Sequence, residues 1–390
     1  MKIGQFGESF IPIYDGVGRV MKAYADTMAS RGNEVYVVCP MYDAGYRGQY
    51  PFEIVDFNSV KFSKRLFYRV GLKQFDPHFK ARMKQIDLDI CHAHGPVFAG
   101  NIAKSIARKR NIPLVGSFHT KFYDDILEET KSKTIAKVGA KLVADFYDQC
   151  DEVWAVSDGT GETLRDYGYK GKIIVMPNGT NRRTLNLQKL PIVRETYKIR
   201  TDVPVLLFVG QINWKKNLKY IVEASSILKH QGFMHQLVFV GGGPEFEELQ
   251  NLRKEKDIED ISLQTGLIQD TEALDCIYSM SDLFVFPSVY DNAPMVLREA
   301  AAQHTAGLVV EGSCSSESIT HLENGIITKN TPEDIAKGIK EFFDLPKEKR
   351  EAIEEKAYET IPMPWDGKLM DTILGRYENL IDMYKVKNKR

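Results

Sequence analysis

The 390 residues are enough for two ordinary domains, each able to bury its own core. A content of 43% hydrophobic and 27% charged residues is that of a globular chain, and no apolar run approaches the ~20 residues of a membrane-spanning helix. The net charge of -1 conceals a division: residues 1–190 hold 28 Lys+Arg against 21 Asp+Glu, and the remainder 24 against 32. A basic first half suits an anionic partner, and incidental surface chemistry accounts for it equally well. Five scattered cysteines without a CxxC spacing fit the reduced thiols of a cytoplasmic protein, so the sequon at Asn178-Gly179-Thr180 reads as a turn.

In chain order, the opening Met1-Lys2-Ile3-Gly4-Gln5-Phe6 reads as a first strand and lacks the apolar run of a secretory signal. Short β-branched runs at 35–39, 89–92, 113–116, 152–156 and 172–176 are expected as further strands, with helices between them that include 17–31 and 97–110. Residues 181–203 have little strand character and fit an interdomain connection. The alternation restarts with strands at 204–209, 236–240, 261–265, 283–286 and 307–310, and 365–384 has the pattern of one amphipathic helix. The pattern is expected to fold as an α/β chain of two doubly wound, Rossmann-like domains facing across a cleft, 1–190 and 191–364, with a tail helix at 365–390 packing back toward the first domain. In such sheets ligands sit beyond the carboxyl ends of the strands.

Four strand-to-helix loops carry candidate chemistry. The first, 8–18, places Gly16 at a helix start, where backbone amides approach an anion closely; a plain turn explains it as well. In Gly210-Gln211-Ile212-Asn213-Trp214-Lys215-Lys216, a lysine near a helix N-terminus opposes the helix dipole unless an anion such as a diphosphate is held there; a solvated surface lysine is the alternative. Val240-Gly241-Gly242-Gly243-Pro244 allows close backbone approach to a ligand, or simply a tight turn. The fourth runs from Phe286-Pro287-Ser288 through Asp291 and Asn292 into a helix expected to start near Ala293 and to carry Glu299. There the amides of Met295 and Val296 suit phosphate, while Asp291 and Glu299 suit sugar hydroxyls.

These motifs, in this order, resemble the family 4 retaining glycosyltransferases of the GT-B fold over almost the whole chain. The family's Glu-x7-Glu pair stands here as Asp291-x7-Glu299, followed by Ala300-Ala301-Ala302. The likeness extends to Asp89-Ile90-Cys91-His92-Ala93-His94, Ser117-Phe118-His119-Thr120, 175–181 and Ser279-Met280-Ser281-Asp282-Leu283. The resemblance implies that Glu299 binds the donor ribose, and that Asp291 with the backbone of Asn292 and Ala293 holds the sugar. Lys216, Gly16, Met295 and Val296 would bind the diphosphate, beside the Gln211 and Gly242 loops, and the base would lie on Gly266-Leu267-Ile268. His119 would contact the donor sugar, making His119, Lys216 and Asp291 the catalytic set.

The implied reaction is front-face substitution with retention, in which the departing diphosphate takes the acceptor proton. It implies no metal and no cofactor beyond a nucleotide-sugar donor, UDP-hexose by resemblance. Asp87-Leu88-Asp89 lies at a strand start and reads as structural, and His92-x-His94 lacks a third ligand, so it reads as packing or acceptor contact. The chain departs from the family where Gln211 replaces an arginine, Pro294 and His304 replace glycines, and Ser313-Cys314 replaces a glycine pair. These departures leave the donor sugar and catalytic strength open, and with them a catalytically weak nucleotide-sugar binder. A phosphorylase or an epimerase of the same fold is the further alternative.

For the acceptor, 61–84 sets Lys61, Lys64, Arg65, Arg69, Lys73, Lys80, Arg82 and Lys84 against one acid, Asp76, among large apolar residues. A second basic group, Lys131, Lys133, Lys137 and Lys141, surrounds Ile135, Val138 and Leu142. Both suit an anionic leaflet, hence peripheral docking on the inner face of the cell membrane and a diacylglycerol- or ceramide-type acceptor. A solvated basic face on a polysaccharide-building enzyme, with a soluble or lipid-linked saccharide acceptor, is the alternative; nucleic acid is not expected.

Overall fold

The computed structural model describes residues 1–11, 15–41, 49–61, 69–71 and 76–388, without the side chains of 61, 69 and 70. Two compact units divide it, Met1–Asn178 together with Trp365–Arg390, and Gly179–Pro364. The first division therefore falls nearer 178 than 190.

The first unit begins with β1 (Lys2–Phe6), α1 (Gly16–Ser30), β2 (Glu34–Pro40) and β3 (Glu53–Phe57). An antiparallel pair follows, β4 (Ser59–Lys61) and β5 (Arg69–Gly71), then α2 (Pro77–Gln85), β6 (Ile90–Ala93) and α3 (Phe98–Arg110). Next come β7 (Leu114–Phe118), α4 (Phe122–Thr130), α5 (Lys133–Tyr147), β8 (Glu152–Ala155), α6 (Asp158–Asp166) and β9 (Ile173–Val175). The parallel sheet has the order β3-β2-β1-β6-β7-β8-β9, so strand order reverses between β1 and β6. Sequence explains the helix starts: Asp15 accepts from the Gly18 amide at 2.7 Å, and Asp76 caps α2 with Pro77 at its first turn. Asp89 accepts from the Lys2 amide at 2.7 Å, which gives that carboxylate the structural role expected of it.

The second unit contains α7 (Leu190–Tyr197), β10 (Val205–Val209), α8 (Leu218–His230), β11 (Gln236–Val240), α9 (Phe246–Glu255) and β12 (Ser262–Gln264). After these come α10 (Thr271–Ser279), β13 (Leu283–Val285), α11 (Met295–Ala302), β14 (Gly307–Val310), β15 (Gly325–Thr328), α12 (Pro332–Phe343) and α13 (Lys347–Thr360). Its sheet order is β12-β11-β10-β13-β14-β15, entirely parallel, and the reversal lies between β10 and β13. These strands are buried on both faces, as parallel strands under helices are, which is why they read as unbroken apolar runs. The stretch expected as a connection, 181–203, carries α7, whose Val193 joins this unit's core.

The last helix, α14 (Lys368–Asn388), belongs to the first unit. Its Leu369, Met370, Ile373, Tyr377, Leu380 and Ile381 recur every three to four residues and are buried. Tyr377 stacks on Trp154 with ring centroids 5.6 Å apart, and Arg376 grips Glu152 through two nitrogens at 2.8 and 2.9 Å. At the near end Arg31 bonds Asp366 at 2.7 Å and Asp371 at 2.5 Å.

Candidate active site

In the second unit the reversal between β10 and β13 puts two loops side by side, 210–217 and 286–294, where doubly wound sheets take ligands. After β10 the chain makes a short turn, Trp214–Lys216, capped by the Asn213 side chain, and Asn217 adopts a left-handed φ of 57°. Asn217 ties the two loops together, donating to the Pro287 carbonyl at 2.8 Å. The Lys216 ammonium is bonded to Asp291 Oδ1, and Ser288 Oγ donates to Asp291 Oδ2 at 2.6 Å. Side-chain exposure is 15% for Lys216 and 18% for Asp291, so the pair is largely shielded yet open at one side. Ser288 is fully buried.

The helix α11 starts at Met295, not Ala293. Pro294 holds φ at -66° and ψ at 121°, extended, and the following residues then turn helical. No side chain caps this end. Met295 and Val296 thus occupy the first turn, where amides have no intrahelical acceptor. Glu299, one turn on, is buried and accepts from the Tyr278 hydroxyl at 3.4 Å. Beside it Arg183 forms a two-pronged pair with buried Asp275, both contacts 2.6 Å, and the Glu299 charge also acts on that guanidinium.

The glycine run after β11 is dictated by contact. A Cβ on Gly241 would lie 1.9 Å from the Gly210 carbonyl oxygen at a φ of 139°, and one on Gly243 would lie 2.1 Å from the Ile212 oxygen. The loop is stitched by Ile212 N to Gly242 O at 2.9 Å and Gly241 N to Gly266 O at 2.9 Å. Leu267 adjoins Gly242 and is 62% exposed, a large apolar side chain presented to solvent, while Ile268 packs on the core. Gln211 is exposed; Asn292 is buried, and Ala293 is partly so.

In the first unit Gly16 is the exposed first residue of α1, but the helix end it opens is already capped by the Asp15 carboxylate. Burial raises the Asp15 pKa above its ordinary value. His119, just past β7, bonds through Nε2 to His94 Nδ1 at 3.2 Å, and burial pulls its pKa down to about 4. His92 is bonded to Ser117 and Tyr377, and His94 to Gln5 as well as His119, so neither imidazole is idle.

Of the expected acceptor residues, Lys64, Arg65 and Lys73 lie outside the described residues, while Lys61 and Arg69 are register partners in the β4–β5 pair. Arg82 is spent internally, its Nε on Glu53 at 2.6 Å. On α5, Ile135, Val138 and Leu142 are 53%, 57% and 64% exposed, an apolar stripe flanked by lysines. Ser288, Tyr278, Arg183, Gln5 and Tyr377 were not anticipated. Ser288 stood within the Phe-Pro-Ser signature, but nothing local marks the others, whose partners are 21 to 372 positions away.

Comparison with known proteins agrees with this architecture. The family model described as "Glycosyltransferase Family 4" matches residues 14–183, and "Glycosyl transferases group 1" matches 191–360. The chain is 25% identical over 312 residues to alpha-monoglucosyldiacylglycerol synthase of Streptococcus pneumoniae, covering 78% of this chain and 70% of that one. It is 20% identical over 344 residues to the enzyme of the same name from Acholeplasma laidlawii, covering 85% and 86%. The crystal structure of Anabaena HepE with UDP and glucose superposes with a TM-score of 0.76 at 16% identity, covering 97% of this chain and all of that one. Two parallel Rossmann-like sheets, each matched by its own half of the family, place this chain among the family 4 glycosyltransferases of the GT-B fold.

Proposed function

We propose that this glycosyltransferase moves a hexose from UDP-hexose, with retention and without a metal, to the hydroxyl of a diacylglycerol- or ceramide-type lipid. The observation that carries the reading is the meeting of the Lys216 ammonium, the Asp291 carboxylate and the uncapped start of α11 at the strand-order reversal of the second sheet. An ammonium and first-turn amides are what a diphosphate requires. Lys216, Met295 and Val296 bind the diphosphate, aided by Gly242 and Gln211 and, from the first unit, Gly16. Asp291, Asn292 and Ala293 hold sugar hydroxyls, Glu299 the ribose, and Leu267 with Ile268 the base. His119 contacts the donor sugar.

Catalysis then rests on stabilising charge as it gathers on the leaving diphosphate, which accepts the proton of the attacking hydroxyl on the same face of the sugar. The proton leaves the acceptor oxygen, the new glycosidic bond forms as the sugar–phosphate bond breaks, and UDP departs. Retention follows because attack and departure share one face. The names of the two relatives support a lipid acceptor, and the α5 stripe with Lys133, Lys137 and Lys141 supports docking on an anionic leaflet from the cytoplasmic side. No described helix is long and apolar enough to cross a membrane.

The test offers UDP-glucose, UDP-galactose and GDP-mannose with diacylglycerol in anionic vesicles, with and without EDTA, and reads the anomeric proton of the product. Alpha-linked glycolipid from a UDP-hexose, undiminished by EDTA, is expected. A beta-linked product, EDTA-sensitive turnover or transfer only to a soluble saccharide would overturn the corresponding part of the proposal.

A further inference from the structure

The carboxyl ends of the central strands of the first sheet, beside His119, carry a chain of hydrogen bonds whose direction is set by its far end. Gln5 on β1, His92 and His94 at the end of β6, Ser117 on β7 and Tyr377 on α14 are all buried. Gln5 Oε1 is 2.6 Å from His94 Nε2, and the Gln5 amide nitrogen faces the Tyr377 hydroxyl and the Met28 sulfur, each at 3.4 Å. A thioether only accepts, so the amide nitrogen belongs on that side and Oε1 on the side of His94. Oε1 only accepts in turn, so His94 Nε2 carries a proton. The neutral ring then offers Nδ1 as an acceptor to His119 Nε2, 3.2 Å away. The other branch agrees. Tyr377 receives the Gln5 amide hydrogen and gives its own to His92 Nδ1, leaving His92 Nε2–H for Ser117 Oγ at 2.7 Å.

We infer that Gln5 and His94 are positioning residues that hold His119 as the neutral tautomer with its proton on Nε2, and that Tyr377 of the C-terminal helix anchors their orientation. This rests on the reading of His119 as a donor-sugar contact and adds the form in which the ring serves: uncharged, with Nδ1 unprotonated. Around the group stand Tyr24 from α1 and Tyr377 with Trp154 behind it, where Glu152 and Arg376 pair with each other; the Glu8 carboxyl, beside Gly95 next to His94, accepts from the Ala99 amide at 2.6 Å and is pushed up to about 7 by burial. Burial lowers the pKa of all three imidazoles, which disfavours an imidazolium. A neutral ring beside a sugar that develops positive charge adds no repulsion to the transition state. The C-terminal helix thereby acquires a part in the reaction centre's geometry as well as in packing.

The experiment is histidine 13C/15N NMR on the full chain without donor at pH 7, with the His119 signal assigned by its loss in His119→Gln. Nε2–H is expected in wild type. In Gln5→Glu the new carboxylate stabilises a His94 imidazolium, whose Nδ1–H then points at His119 and drives its proton to Nδ1. That variant is expected to show the other tautomer and a fall in kcat on the order of 10- to 100-fold, as for other partners that orient a site residue, with UDP affinity unchanged. Wild type in the Nδ1–H or charged form, or the same tautomer in both proteins, overturns the inference. Because the spectrum needs no substrate, an Nε2–H ring in a protein whose His119→Gln variant transfers sugar normally would sink the donor-contact reading alone.

Discussion

Asp291→Asn separates the two tasks of the pair at the diphosphate site. In the free protein Asp291 neutralises Lys216 and is held by Ser288, with both charged side chains mostly shielded. A diphosphate arriving at Lys216 brings its charge to within roughly 6 Å of the Asp291 carboxylate, and at an effective dielectric constant of about 20–40 that repulsion amounts to roughly 1.5–3 kcal/mol. Asparagine keeps the shape and the Ser288 hydrogen bond but removes the charge and releases Lys216. UDP, which lacks the sugar, is therefore expected to bind about 10- to 100-fold tighter to Asp291→Asn, by isothermal titration at low salt. UDP-hexose gains less, because its hydroxyl loses a charged acceptor worth about 1 kcal/mol more than a neutral one, and turnover falls about 100-fold. The ligand-free melting temperature drops, since Lys216 loses its counterion. UDP binding that is unchanged or weaker in the variant would refute the reasoning, because it would mean that Lys216 is not the phosphate's partner.

Three further outcomes follow from the same structure. Gly241→Ala forces a methyl against the Gly210 carbonyl at a φ only glycine favours, and costs roughly 2–4 kcal/mol, whereas Gly375→Ala, with nothing within 4 Å, leaves the melting temperature level or higher by calorimetry. His119 is neutral when folded and binds a proton below pH 6.5 when unfolded, so its contribution makes stability fall as pH drops from 6.5 to about 4. Wild type should then lose ground to His119→Gln across that window, by up to about 1.4 kcal/mol per pH unit, in urea titrations at each pH. Replacing Ile135, Val138 and Leu142 together by serine should abolish co-sedimentation with anionic vesicles while leaving the melting temperature within a degree or two, as these side chains are exposed; undiminished co-sedimentation would remove α5 from the docking surface.

The strands were legible where burial on both faces makes a continuous apolar run, as in Val205–Val209 and Gln236–Val240. β3, the β4–β5 pair and β15 were not: β3 mixes Glu53 and Asp56 into a half-buried run, and the others offer only three or four residues of mixed character, too few to carry a period. At the site, Lys216, Asp291 and Glu299 were legible because loop chemistry is local: a lysine near a helix start and a carboxylate before one. Pro294 shows the limit, since its backbone geometry moved the helix start two residues beyond the expected position. What could not be read was mutual arrangement. The Gln5–Tyr377 contact spans 372 positions, and the pairing of Lys216 with Asp291 spans 75, so neither residue's neighbours in the chain hint at the other.

The most direct measurement is a crystal structure of the protein with a UDP-hexose. The account predicts the pyrophosphate against the Met295 and Val296 amides with the Lys216 ammonium moved from Asp291 onto a phosphate oxygen. A pyrophosphate bound elsewhere, or one bound while Lys216 stays on Asp291, would contradict it.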